Sequence, residues 1–172
     1  HREFRPFKIC ERPLQEQSVY VLHLVLEDGS QDIPMMGEQP RYSVAVDETI
    51  ARSIRELEFG MPFDRVRLAE EAGIDASEIE VALLLKDFKT RNVLPIARWS
   101  LSVVPDRFEI SSEDLCQISL VDNFEVSVVA YLKATRVPSP GIASAKGATL
   151  ARCDLTVSIE GETGPDFQVT SI

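Results

Sequence analysis

The groups that could act as nucleophile, base or metal ligand are few and lie far apart in the sequence. His23 is the only internal histidine, and it lies midway along the apolar run "VYVLHLVL". Cys10, Cys116 and Cys153 lack the short spacing of a zinc site and are odd in number. Nucleophilic catalysis needs a base beside a Ser or Cys side chain, and no spacing here predicts that pair. We predict no catalytic residues, no cofactor and no enzymatic activity. An enzymatic role would require His23 or a carboxylate pair to lie in a cleft.

Acidic groups at expected strand ends are better candidates for ligand binding. They are Asp28, Asp32, Asp87, Asp122 and Asp166. Carboxylate oxygens bind calcium, and these loops resemble those of C2 domains, which are β-sandwiches that gather acidic loops at one end. The resemblance implies a calcium site if the loops converge. These acidic residues lack the spacing of an EF-hand. Acidic turns exposed to solvent are the simpler interpretation.

A long basic connection separates two predicted strands near the C-terminal end. "TRVPSPGIASAKGATLARC" runs over 135–153, much longer than the two to five residues of an ordinary hairpin loop. No Asp or Glu lies between Glu125 and Asp154. We call 135–153 the arm and predict that it contacts an acidic surface on a second copy or another protein. The predicted contact residues are Lys133, Arg136, Ile142, Lys146, Leu150 and Arg152.

A second local concentration of positive charge lies in the middle of the chain. It consists of Lys86, Lys89, Arg91 and Arg98. We predict that these side chains extend the basic face of the arm.

The stretch "LAEEAGIDASEIEVALL" resembles the helix-turn-helix of bacterial DNA-binding domains, with Gly73 at the turn. In that family the second helix reads bases with side chains such as Arg, Gln or Asn. Here that helix would present Asp75, Glu78 and Glu80, which phosphates repel. We therefore predict no nucleic-acid binding.

Composition sets the broad class. The 172 residues are 44% hydrophobic and 27% charged, which is typical of a globular protein. The net charge of −10 disfavours contact with nucleic acid and anionic lipid over most of the surface. No apolar run approaches the roughly 20 residues of a membrane-spanning helix. The free cysteines favour a reducing, cytoplasmic location.

The sequence pattern predicts β-strands over most of the chain. "SVYVLHLVLEDG" ends in a turn at Asp28-Gly29, and "RYSVAV" alternates as a half-buried strand does. Further strands are predicted in "VLPIARWSL", "SLSVV", "RFEIS", "CQISLV", "FEVSVVAYLKA", "LARCDLTVSI" and "FQVTSI". In "DETIARSIRELEFG", Asp47 can cap a helix, Ile50, Ile54 and Leu57 share a helical face, and Gly60 can end it.

Residues 64–86 fit two structures. In one, a helix from Asp64 to Ala72 stops at Gly73, and Ser77 with Glu80 opens a second helix. In the other, "EIEVALLLK" is a strand, "DFKTRN" turns the chain, and the next segment returns antiparallel. The short aliphatic run favours the strand.

These patterns predict one domain over 1–172: an antiparallel β-sandwich, jelly-roll or C2-like, with one or two short helices around 47–75. We predict a structural or adaptor subunit that binds a protein partner or forms a homo-oligomer, self-assembling through the arm. The alternative is a β-sandwich that binds calcium or a glycan at its acidic loop ends.

Overall fold

A computed structural model describes residues 21–35, 41–118, 122–133 and 149–160 of the chain. The strands of these residues are β1 (Val21–Leu26), β2 (Gly29–Pro34), β3 (Arg41–Asp47), β4 (Ile54–Gly60), β5 (Ile79–Asp87), β6 (Val93–Ser100), β7 (Arg107–Ser111), β8 (Phe124–Leu132) and β9 (Thr149–Glu160). The helices are α1 (Glu48–Ser53), α2 (Arg65–Ala72) and α3 (Ser112–Leu115), with a 3-10 turn at Ala76–Glu78. None of the helices in these ranges is long and apolar enough to cross a membrane.

The strands form two sheets. The four-stranded sheet has the order β2-β1-β4-β7, and the five-stranded sheet has the order β3-β9-β8-β5-β6. All neighbouring strands are antiparallel except β3 and β9, which are parallel. The predicted class, mostly β with antiparallel sheets and a few short helices, is confirmed at this level.

Both sheets turn an apolar face into one hydrophobic core. The four-stranded sheet contributes Leu24 and Leu57, and the five-stranded sheet contributes Leu83 and Val126. Alternate residues of each strand therefore point away from the core, and these positions form an outer face on each sheet. The candidate functional residues lie on those two outer faces.

Local sequence signals determine one turn, the start of one helix and the end of another. The β1–β2 hairpin turns at Asp28-Gly29, where Gly29 has a φ of 137°, a conformation that favours glycine. The side chain of Asp47 accepts a hydrogen bond from the backbone N of Ile50 and begins α1. Gly73, with a φ of 64°, ends α2. These positions agree with the sequence predictions.

The structure decides between the two predictions for residues 64–86. After α2 and the 3-10 turn, the chain enters strand β5, which pairs with both β6 and β8. The favoured helix-then-strand interpretation is confirmed, and no second helix of a helix-turn-helix forms. The turn after β5 includes Arg91, which has a φ of 60°.

Three element predictions were wrong. The helix predicted from Asp47 toward Gly60 ends at Ser53, because Leu57 and Phe59 alternate with polar residues and pair as strand β4. Within "SLSVV", residues Leu101–Val103 form a turn, and "CQISLV" begins as a turn over Cys116–Ile118. The predicted strand "FQVTSI" lies outside the described residues.

Candidate functional site

A row of acidic side chains crosses the outer face of the four-stranded sheet. The strand register places Asp32 of β2 beside His23 of β1, His23 beside Glu58 of β4, and Glu58 beside Glu109 of β7. Glu56 lies two residues before Glu58, on the same face. We call Asp32, Glu56, Glu58 and Glu109, with His23 between them, the acidic strip. With strands about 4.8 Å apart, the row spans about 14 Å.

Alternation along each strand explains why the strip forms. Leu57 and Phe59 point into the core, so Glu56 and Glu58 point outward. The same alternation buries Phe108 and exposes Glu109 on β7. Because the residues come from four strands, only the strand register brings them together.

The carboxylates of the strip crowd one another. One carboxylate oxygen from each of Glu56, Glu58 and Glu109 lies within 4.8 Å of the others. The pKa of Glu56 is raised, first by partial burial and then by the charges of Glu109 and Glu58, while His23 acts in the opposite direction. Nearby cations would relieve this repulsion, so the strip is suited to a positively charged partner.

His23 is the basic group of the strip. Its Nδ1 atom is hydrogen-bonded to Asp32, and its Nε2 atom lies 3.9 Å from Glu58. The ring is half-buried on a sheet surface, between two carboxylates. The apolar neighbours of His23 predicted a strand but not this position between carboxylates, which depends on the pairing of β1 with β2 and β4.

A second set of charged side chains lies on the outer face of the five-stranded sheet. The guanidinium Nε of Arg152 donates to both carboxylate oxygens of Asp154, at 2.8 and 3.0 Å, and its Nη2 lies 3.2 Å from Glu125. The hydroxyl of Ser127 lies 2.8 Å from Asp154 and 3.0 Å from Glu125. We call these four residues the buried network.

Glu125, Ser127 and Asp154 of the buried network are enclosed, although they point away from the shared core, whereas the side chain of Arg152 is 50% exposed. Glu125 is 4% exposed and Asp154 is 5% exposed. Ser158, further along β9 on the same face, is also buried, and its hydroxyl has no hydrogen-bond partner among the described residues. Buried carboxylates need partners, and Arg152 with Ser127 supplies them.

The residues predicted to make the contacts of the arm lie in different surroundings. Lys133 is half-buried at the end of β8, Leu150 packs in the core at 1% exposure, and Arg152 belongs to the buried network. Arg136, Ile142 and Lys146 lie outside the described residues. The antiparallel pairing of β8 with β9 agrees with the predicted strands on either side of the arm.

The second basic group does not form a compact cluster. The Nζ atom of Lys86 lies 5.7 Å from the centre of the Phe88 ring, and Lys89 pairs with Asp122 at 3.4 Å. Arg91 is exposed in the turn between β5 and β6.

Arg98 is exposed on β6, opposite Ala82 of β5. It lies near Tyr131, whose pKa is raised by burial and by the hydrogen bond and charge of Glu80, while Arg98 acts in the opposite direction.

The acidic loop residues are also separated. Asp28 and Asp32 belong to the β1–β2 hairpin of one sheet, whereas Asp87 and Asp122 lie near Lys89 at one end of the other. Asp87 is buried, and its side chain accepts a hydrogen bond from the backbone N of Lys89. Asp166 lies outside the described residues. Within the described ranges, the acidic side chains close enough to share one cation are Glu56, Glu58 and Glu109 instead.

Comparison with protein-family models, curated proteins and solved structures gives no match to this chain.

Proposed function

We propose that the chain is a non-enzymatic structural or adaptor subunit that works through protein–protein contacts. The observation that carries this proposal is the acidic strip, a crowded row of carboxylates on an outer sheet face. The partner that fits it is a basic, extended protein segment, because cations placed between the carboxylates reduce their repulsion. The proposal includes a sandwich of jelly-roll or C2-like type and a cytoplasmic location.

The arm of a neighbouring copy has the required charge. It lacks acidic residues between Glu125 and Asp154 and carries Arg136 and Lys146, with Lys133 just before it. Its two flanking strands, β8 and β9, belong to the five-stranded sheet, whereas the strip faces outward from the other sheet. In the proposal, the arm of one copy binds the strip of a second copy.

Light scattering on the eluting size-exclusion peak tests this proposal at low and high salt. The test variant is Arg136→Gln/Lys146→Gln, which keeps the length of the arm and removes its two charges outside the buried network, to which Arg152 belongs. We expect the intact chain to have the larger mass at low salt, and we expect salt or the variant to reduce it, because the Debye length falls from about 30 Å at 0.01 M to about 3 Å at 1 M. An unchanged mass in every condition would exclude assembly through the arm.

Cation binding is the second candidate function. It is favoured by the three carboxylate groups of Glu56, Glu58 and Glu109, which offer the oxygen ligands that calcium prefers. Calcium bound to the folded chain would raise its melting temperature, and Glu58→Gln would reduce that rise. A melting temperature independent of calcium would exclude this function.

A further inference from the structure

We infer that two copies of this chain pair through the open edges of strand β7, joining their four-stranded sheets into one continuous sheet. This inference deepens the proposed function and rests on its expectation that the chain assembles. It names a second interface, separate from the arm, and the closing experiment distinguishes the two.

The register of β7 shows which backbone groups face its open edge. Among the described residues β7 has one strand neighbour, β4. The backbone N of Met61 donates to the carbonyl of Asp106 at 2.8 Å, and this pair continues the β4–β7 register. In an antiparallel pair, hydrogen-bonded and non-hydrogen-bonded positions alternate. The backbone N–H and C=O groups of Arg107, Glu109 and Ser111 therefore point away from β4.

The side chains of these edge residues carry opposite charges, which can pair between two copies of the chain. Arg107 and Glu109 are exposed on the outer face, and within the described residues neither forms an ion pair. Two β7 strands can pair antiparallel with Phe108 opposite Phe108 of the second copy. This register places Arg107 across from Glu109 of the other copy, twice by symmetry, and uses outward backbone groups of both strands.

Other registers are less favourable. Shifting one strand by two residues puts Glu109 directly opposite its own copy, and like charges in that position repel. The charge pattern therefore selects one register. It also gives Glu109, which is already crowded by Glu58, a positive neighbour.

Two other open edges, β6 and β2, are less suited to pairing. Strand β6 contains Pro95, which lacks an N–H group, and its pairing with β5 is irregular between Leu83 and Leu84. Strand β2 ends in Pro34, and its acidic residue Asp32 already contacts His23. Strand β7 has neither a proline nor a register shift within its bounds.

Charge reversal at β7 provides the test, by analytical ultracentrifugation of the full chain over a concentration series. Arg107→Glu places acids opposite acids, and Glu109→Arg places bases opposite bases. We expect either change to raise the dimer dissociation constant about tenfold or more. A 1:1 mixture of the two variants restores two attractive pairs, and so does the double variant Arg107→Glu/Glu109→Arg, so both should dimerise again. Thermal unfolding checks that every variant is folded.

Arg98→Glu is the matched control, because it makes the same change of charge on the open strand β6 and should leave the dimer intact. A monomeric wild-type chain at all concentrations would overturn the inference, and so would a dimer that is insensitive to both single reversals. Loss of the dimer in the single variants with recovery in the mixture would support it. The arm variant Arg136→Gln/Lys146→Gln should retain this dimer, so failure of one interface is distinguishable from failure of the other.

Discussion

The two sheets carry carboxylates on their outer faces, and they hold them in different ways. On the five-stranded sheet, Glu125 and Asp154 are buried and share the guanidinium of Arg152. On the four-stranded sheet, Glu56 and Glu109 are more accessible to solvent and lie near further carboxylates. Buried charges must be compensated within the molecule, whereas exposed charges can be compensated by a partner. The first set therefore stabilises the fold, and the second is suited to binding.

The largest expected effect comes from breaking the buried network. Arg152→Ala leaves the buried carboxylates of Glu125 and Asp154 without their cation. Because the Arg152 side chain is itself half exposed, we expect the free energy of unfolding to fall by about 2 to 3 kcal/mol, the cost of leaving buried charged acceptors without a donor. Chemical denaturation measures this change. Arg98→Ala is the control, because Arg98 is likewise exposed on the same sheet but makes no ion pair with a buried carboxylate among the described residues, and it should cost less than about 0.5 kcal/mol. Equal losses in the two variants would show that Arg152 does not compensate the buried carboxylates.

Two serine substitutions compare two buried hydroxyl groups on the outer face of the five-stranded sheet. Ser127→Ala removes a hydroxyl that lies within hydrogen-bond distance of both buried carboxylates, and we expect a loss of about 1 to 3 kcal/mol. Ser158→Ala removes a buried hydroxyl that has no partner in the part of the chain that the structure describes, so it should leave stability unchanged or raise it. The same denaturation experiment measures both variants. A larger loss for Ser158→Ala would contradict the assignment.

A smaller, pH-dependent effect is expected at the strip. Because the pKa of Glu56 is raised in the folded state, its ionisation costs stability as pH rises through and above its ordinary value near 4.5. Glu56→Gln should therefore stabilise the chain at pH 7, by roughly 0.5 kcal/mol, and the gain should disappear below that value. Thermal unfolding at several pH values measures this effect. A gain that persists undiminished at low pH would contradict the electrostatic cause.

The sequence predicts the features that depend on near neighbours. Asp47 and Gly73 mark the beginning of α1 and the end of α2 through local hydrogen bonding and backbone conformation. The prediction failed near Leu57, because Ile50, Ile54 and Leu57 also fit a helical face. Pairing with β1 and β7 decides in favour of a strand, and a single segment does not contain that information.

The acidic strip was not predicted for a related reason. Asp32, Glu58 and Glu109 are distant in sequence, and they meet only because the register of three strand pairs aligns them. The alternation of Glu56 and Glu58 with apolar residues was the available signal. Arg152 was assigned to the arm because of its charge, but the pairing of β8 with β9 places it beside Glu125.

The most direct test of the strip as a binding surface is low-salt light scattering of the Glu56→Gln/Glu58→Gln variant beside the intact chain. Neutralising two carboxylates removes much of the attraction for a basic arm while leaving the arm itself and the β7 edge unchanged. We expect the variant to lose the same part of the low-salt mass that Arg136→Gln/Lys146→Gln loses. If the variant and the intact chain have the same mass and the same salt dependence, the acidic strip does not bind the arm.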